Sequence, residues 1–152
     1  MKYIVGIALG LLIFACSQNK PNEGVQTDLS TSAIDSLTDP ATGIGLVRDV
    51  VLNSPLEQDK VDRGLTIYEK NCKSCHKLDD QRLVGPGWKD VTHRRKPEWI
   101  MNMITNVDMM LDNDEQAQKL LETCKTRMNV EVLSVADARD VLEFMRQNDG
   151  EK

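Results

Sequence analysis

Aromatic residues are scarce in this chain: two Trp, two Tyr and two Phe, 4% of the sequence. Rings normally supply much of the bulk of a small core, so another source of core volume is needed. Basic excess is also missing. The formal net charge of −5 excludes a nucleic-acid binder, which needs a concentrated cationic surface. No apolar run approaches the roughly 20 residues that span a bilayer as a helix. No internal repeat and no strand-like alternation stand out, so solenoids, propellers and β-sandwiches are set aside. Of the four cysteines, Cys16 ends an apolar run and Cys72 and Cys75 share one short motif, which leaves Cys124 over and no disulfide framework. The 152 residues allow one compact domain with extensions.

Charge is present but uneven. Cations outnumber acids from Asp59 to Trp99, and acids outnumber cations from Ile100 to the end. This is either an ordinary solvated surface or a docking face whose steering salt would weaken. The N-terminus has a positive start, Met1-Lys2, then thirteen apolar residues from Tyr3 to Ala15. That length suits the core of a signal peptide. Ala15-Cys16 resembles the bacterial lipobox, although Phe14 is bulkier than usual there. The resemblance implies cleavage after residue 15 and lipid attachment at Cys16.

Four segments are expected: a signal over 1–15, a flexible tether over 16–42, an extended arm over 43–55 and a folded domain over 56–149. The tether is rich in Ser, Thr, Asn, Asp and Gly and cannot bury enough surface to fold. The arm, Gly43-Ile44-Gly45-Leu46-Val47 with Val50-Val51-Leu52, is apolar enough to pack on the domain. Inside the domain the pattern predicts helices over 59–71, 97–105 and 112–124 and a last helix after Ser134. Pro97 opens one helix, and Asp137 three residues after Ser134 marks a cap. Gly85-Pro86-Gly87 is a turn. The fold class is mostly α.

Cys72-Lys73-Ser74-Cys75-His76 is a haem attachment signature. Two thiols one helical turn apart reach the two vinyl groups on one porphyrin edge, and the adjacent imidazole lies where it can bind iron. A buried haem would also supply the volume that the missing aromatics do not. Two rivals are weaker. A structural zinc site needs four ligands, and only His93 and Cys124 remain. A thiol redox pair expects a βαβ setting.

The domain resembles class I cytochromes c over residues 56–148. Gly64 and Tyr68 stand where that family has its N-terminal helix glycine and aromatic, and Val141 and Phe144 where the C-terminal helix packs on them. Val84-Gly85-Pro86 matches the loop after the haem motif. The resemblance implies a small helical bundle around one covalent haem c, and a Pro86 carbonyl that accepts a hydrogen bond from His76. It implies Met128 as the sixth iron ligand, with Met109 and Met110 as runners-up. Asn129 stands where the family usually keeps proline after that methionine. Trp88 and Trp99 are candidate pocket residues; the Trp99 indole either bonds a propionate or packs in the core. His93 reads as a solvated residue, Cys124 as a buried thiol, and Met101 and Met103 as core. A narrower likeness, through Gly43-Ile44-Gly45, Gly85-Pro86, Lys96-Pro97-Glu98-Trp99-Ile100 and Met128, is to small lipoprotein cytochromes of Bacteroidetes-type bacteria.

The implied function is a membrane-tethered monohaem carrier of single electrons on the periplasmic side of a bacterial membrane, not an enzyme. A redox protein such as a terminal oxidase, a denitrification reductase or a copper protein would be its partner. The alternative is a haem enzyme or gas sensor with a labile sixth ligand.

Overall fold

The computed structural model describes residues 38–152, Val130 excepted. The signal segment, Cys16 and the tether up to residue 37 lie outside the described residues. Thr38–Asp39 (β1) pairs antiparallel with Gly43–Ile44 (β2), Thr38 facing Ile44. Six α-helices follow: Gln58–Ile67 (α1), Val91–Arg94 (α2), Pro97–Thr105 (α3), Val107–Asn113 (α4), Glu115–Cys124 (α5) and Val135–Asn148 (α6). The mostly helical expectation holds. The two-residue ladder is too short to leave a periodicity in the sequence.

The first and last helices form the frame. Each is amphipathic, and α1 turns Val61 and Gly64 inward. Ser134 caps α6 through the expected box: its hydroxyl accepts from the Asp137 N–H at 3.1 Å, and the Asp137 carboxylate accepts from the Ser134 N–H at 3.3 Å. Where the helices cross, Gly64 is required. A Cβ built there would lie 2.1 Å from the Asp140 carbonyl oxygen and 2.8 Å from Phe144 Cβ. Tyr68 fills the space beside the crossing, its ring 5.4 Å from Phe144 and 5.0 Å from Trp88. Arg63 ties the same crossing from outside with a two-pronged bond to Asp140, at 2.7 and 2.9 Å. Val141 and Leu142 are wholly buried, each contributing roughly 1.5–3 kcal/mol by removal from water.

Two helix expectations are corrected. The helix read over 59–71 leaves α geometry at Ile67 and continues as one π-turn, Tyr68–Cys72, closed by the Lys73 N–H on the Tyr68 carbonyl at 2.9 Å. Such wide turns occur at functional sites, and this one delivers Cys72. The helix read over 112–124 is two helices. Asp114 stands between them in extended geometry, and its carboxylate accepts from the Ala117 N–H at 2.8 Å, capping α5. An Asp inside an apolar periodicity serves here as a stop and a start.

The arm packs as a strap along α3 and α4, held by side chains. Asn102, buried in the middle of α3, accepts from the Val47 N–H at 3.1 Å and donates to the Thr42 and Val47 carbonyls, each at 2.9 Å. Asn106 donates to the Ile44 carbonyl, the Met110 sulfur accepts from the Ile44 N–H, and Glu98 accepts from the Val50 N–H. Val47 is buried while Leu46 and Val51 face solvent. The strap begins by Thr38, within the stretch read as tether.

Candidate haem site

The π-turn ends in a tight helical turn. The N–H groups of Cys75 and His76 both donate to the Cys72 carbonyl, at 3.0 and 2.9 Å. Cys72 is buried and Cys75 half-buried, and both are unbridged thiols. Burial, and secondarily the neighbouring Cys75, push the Cys72 thiol up to about 11. Chain direction then reverses. The Gly85 N–H donates to the Cys75 carbonyl and the Trp88 N–H to the Lys77 carbonyl, both at 2.9 Å. The Tyr68 hydroxyl donates to the His76 carbonyl at 2.9 Å.

This fold-back fixes the imidazole. His76 Nδ1 lies 2.8 Å from the Pro86 carbonyl oxygen. A carbonyl can only accept, so Nδ1 carries the proton and Nε2 keeps its lone pair. Burial lowers the His76 pKa, partly countered by the Pro86 hydrogen bond, and the ring stays neutral as a metal donor must. Gly85 makes the approach possible: a Cβ there would lie 2.3 Å from His76 Cε1. Trp88 packs tilted against the ring, centroids 5.6 Å apart.

One apolar cleft collects Asn71, Cys72, His76, Trp88, Ile104, Met128, Leu133 and Val141. Residues 52 positions apart, His76 and Met128, therefore line the same space. An imidazole with a free Nε2, a thioether, paired thiols and an apolar wall fit a covalently held haem with iron bound on both sides. Among the described residues, no three of His, Cys, Asp and Glu gather as a bare-metal site.

The runners-up for the sixth ligand are elsewhere. Met110 is fully buried with its sulfur on the Ile44 N–H at 3.0 Å, and Met109 faces solvent. Trp99 is also outside the cleft. Its indole N–H donates to Asp114 at 3.2 Å, and the Arg95 guanidinium lies 4.6 Å over its ring. Of the two readings of Trp99, the geometry matches core packing, the capping carboxylate of α5 holding its indole N–H. His93 is exposed, 3.6 Å from Asp90. Cys124 ends α5 half-buried, and its carbonyl accepts from Arg82 at 3.1 Å. Asn71, Ile104 and Leu133 were not foreseen in the cleft; none belongs to a local motif.

Fold and site together define a small helical haem protein of the c type. Three comparisons bear on this. The cytochrome c family profile matches residues 61–149. The cytochrome c from Rhodothermus marinus is 34% identical, with a TM-score of 0.69, over 73% of this chain and 97% of that one. An engineered form of it bound to a carbene intermediate matches at 33% identity and a TM-score of 0.65, over 73% of this chain and 98% of that one. No curated protein sequence matches the chain. The chain belongs to the cytochrome c family, with a fold of the class I type. Membership brings one covalently attached haem c and an electron-transfer role rather than an enzymatic one. Among the described residues, no helix is long and apolar enough to cross a membrane.

Proposed function

We propose that the chain is a membrane-tethered carrier that passes single electrons between respiratory-chain components outside the cytoplasm. Cys72 and Cys75 form the thioether links, and His76 Nε2 and the Met128 sulfur bind the iron. The haem supplies a one-electron couple. The protein's part is to hold both donors in place and to keep water out. The observation that carries the reading is the convergence of His76, already oriented by Pro86, and Met128 on one apolar cleft. An iron bound on both sides has no open position for substrate, which favours electron carriage over catalysis. A thioether donor also favours the ferrous state and raises the potential.

Pocket contacts are assigned to Pro86 and Trp88. Lipid on Cys16 and the flexible segment after it would hold the domain within reach of a membrane while leaving it free to turn. The sequence supports this through the apolar run ending at Ala15-Cys16. The partner is a redox protein such as a terminal oxidase, a denitrification reductase or a copper protein. It would be met through a small transient contact near Lys70, Lys73 and Lys77, and association should weaken with salt.

The test is spectroscopic. The ferric protein is expected to be low-spin with the weak long-wavelength charge-transfer band of thioether ligation, and Met128→Ala to abolish that band. A high-spin ferric haem that binds carbon monoxide at once on reduction would overturn the carrier reading. An intact band in Met128→Ala would overturn the ligand assignment.

A further inference from the structure

The loop that carries Met128 has little to hold it. Between the end of α5 and the cap of α6, the described residues from Thr126 to Leu133 make hydrogen bonds through one side chain alone, that of Arg127. Met128 and Leu133 pack on the core, but packing alone does not fix a register. Asn129 follows Met128, so no proline ring stiffens the backbone there.

Arg127 reaches back to α4. Its Nη1 donates to Asp112 at 2.9 Å and its Nη2 to Asp108 at 3.2 Å. Those two carboxylates stand four residues apart on one helix face. Like charges at that spacing repel and destabilise a helix. A guanidinium fork between them converts the repulsion into two attractions, and a planar fork suits two acceptors better than an ammonium does. Isolated surface pairs contribute little, but an arginine shared between two carboxylates is the geometry in which they do contribute. Helix α4 is a firm base. Met110, on its opposite face, and Leu111 are both buried, and Met110 is held against the strap through Ile44.

We propose that Arg127, clamped by Asp108 and Asp112, is the positioning residue that keeps Met128 on the haem iron, an ionic fastening of the ligand loop. The proposal rests on Met128 as the sixth ligand. Its consequence is that ligand exchange depends on ionic strength. All three side chains are at least partly exposed, so salt screens the clamp and frees the loop.

The experiment uses the full haem-loaded chain in the ferric state. Imidazole is titrated as a competing ligand, and displacement of Met128 is followed by loss of the long-wavelength band at low and high salt. In the parent protein, imidazole affinity should rise with salt. Arg127→Gln should raise it about fivefold at low salt and remove most of the salt dependence. The pair Asp108→Asn with Asp112→Asn should do the same, and all three changes together should add nothing more. Arg127→Lys should restore part of the effect. If Arg127→Gln does not fold, the aspartate pair and its salt dependence carry the test.

An affinity within about twofold of the parent in these variants, with the salt dependence intact, would refute the clamp. The two readings fail separately. A band that survives Met128→Ala removes the ligand assignment. A band lost in Met128→Ala but indifferent to Arg127 removes only the fastening.

Discussion

Replacing Gly64 with alanine adds one methyl group at the crossing of the first and last helices. At an exposed helical position this change stabilises, because alanine is favoured over glycine by about 1 kcal/mol. Here the added carbon would lie 2.1 Å from the Asp140 carbonyl oxygen and 2.7 Å from its carbon. Both atoms are backbone and cannot rotate away. Restoring an ordinary contact means moving one helix by about 1 Å, and a gap of that size forfeits a quarter to a half of the dispersion well at each facing contact. Overpacking of this kind costs roughly 1–3 kcal/mol and more where the neighbour is rigid. Taking about 3–4 for the clash and returning about 1 for propensity leaves a net loss of roughly 2–3 kcal/mol. For a domain of this size that lowers the Tm by about 8–15 °C. Thermal and guanidinium unfolding of the haem-loaded protein give the number. The sign decides the matter: a Gly64→Ala variant as stable as the parent, or more so, would refute the close-packing argument.

Three further outcomes follow from other parts of the molecule. Asn102→Ala strands the Val47 N–H and the Thr42 and Val47 carbonyls, at a cost of about 2–4 kcal/mol. Hydrogen exchange should show the strap over 42–50 losing protection before the helices do. Glu143 is fully buried. Burial pushes its pKa up, but the Arg139 hydrogen bond, the Glu57 N–H at 3.0 Å and Arg146 at 2.9 Å outweigh that and lower it from 4.5. A lowered folded-state pKa contributes stability that is present above pH 4.5 and lost as pH falls through the folded value. Stability, followed by unfolding from pH 7 downward, should therefore fall below about pH 4.5, with a shallower fall in Glu143→Gln; an unchanged slope in that variant would assign the acid sensitivity elsewhere. Gly85→Ala drives a methyl into the His76 ring. The variant is expected to lose native low-spin absorption while denaturing gels still show haem on the chain; an unaltered spectrum would mean that the loop yields without disturbing His76.

The haem attachment proposed at Cys72-Lys73-Ser74-Cys75-His76 is a reading of the sequence alone, because attachment is a local requirement. Two thiols must meet one ring edge and an imidazole the iron at its centre, and a five-residue turn can do this alone. The caps at Pro97 and Ser134 and the α6 stripe were legible for the same reason, since each is satisfied within a turn or two of its own helix. Boundaries failed where a residue serves two neighbours. Asp114 looks like a first-turn acid in one long helix, yet it separates two helices while capping one and holding the Trp99 indole.

Tertiary structure alone decided which methionine shares a space with His76. Met110 was a runner-up to Met128 in the sequence, until the strap placed the Ile44 N–H on its sulfur. It also decided the role of Asn102, whose only outward sign is a polar residue in the apolar run Trp99-Ile100-Met101-Asn102-Met103-Ile104. Those partners lie 55–66 residues away, and no periodicity records a contact across that distance. What the sequence determined by itself was the chemistry of attachment, written in adjacent residues. What the fold decided was the other side of the site, because bringing a thioether to an imidazole 52 positions distant depends on how the helices pack.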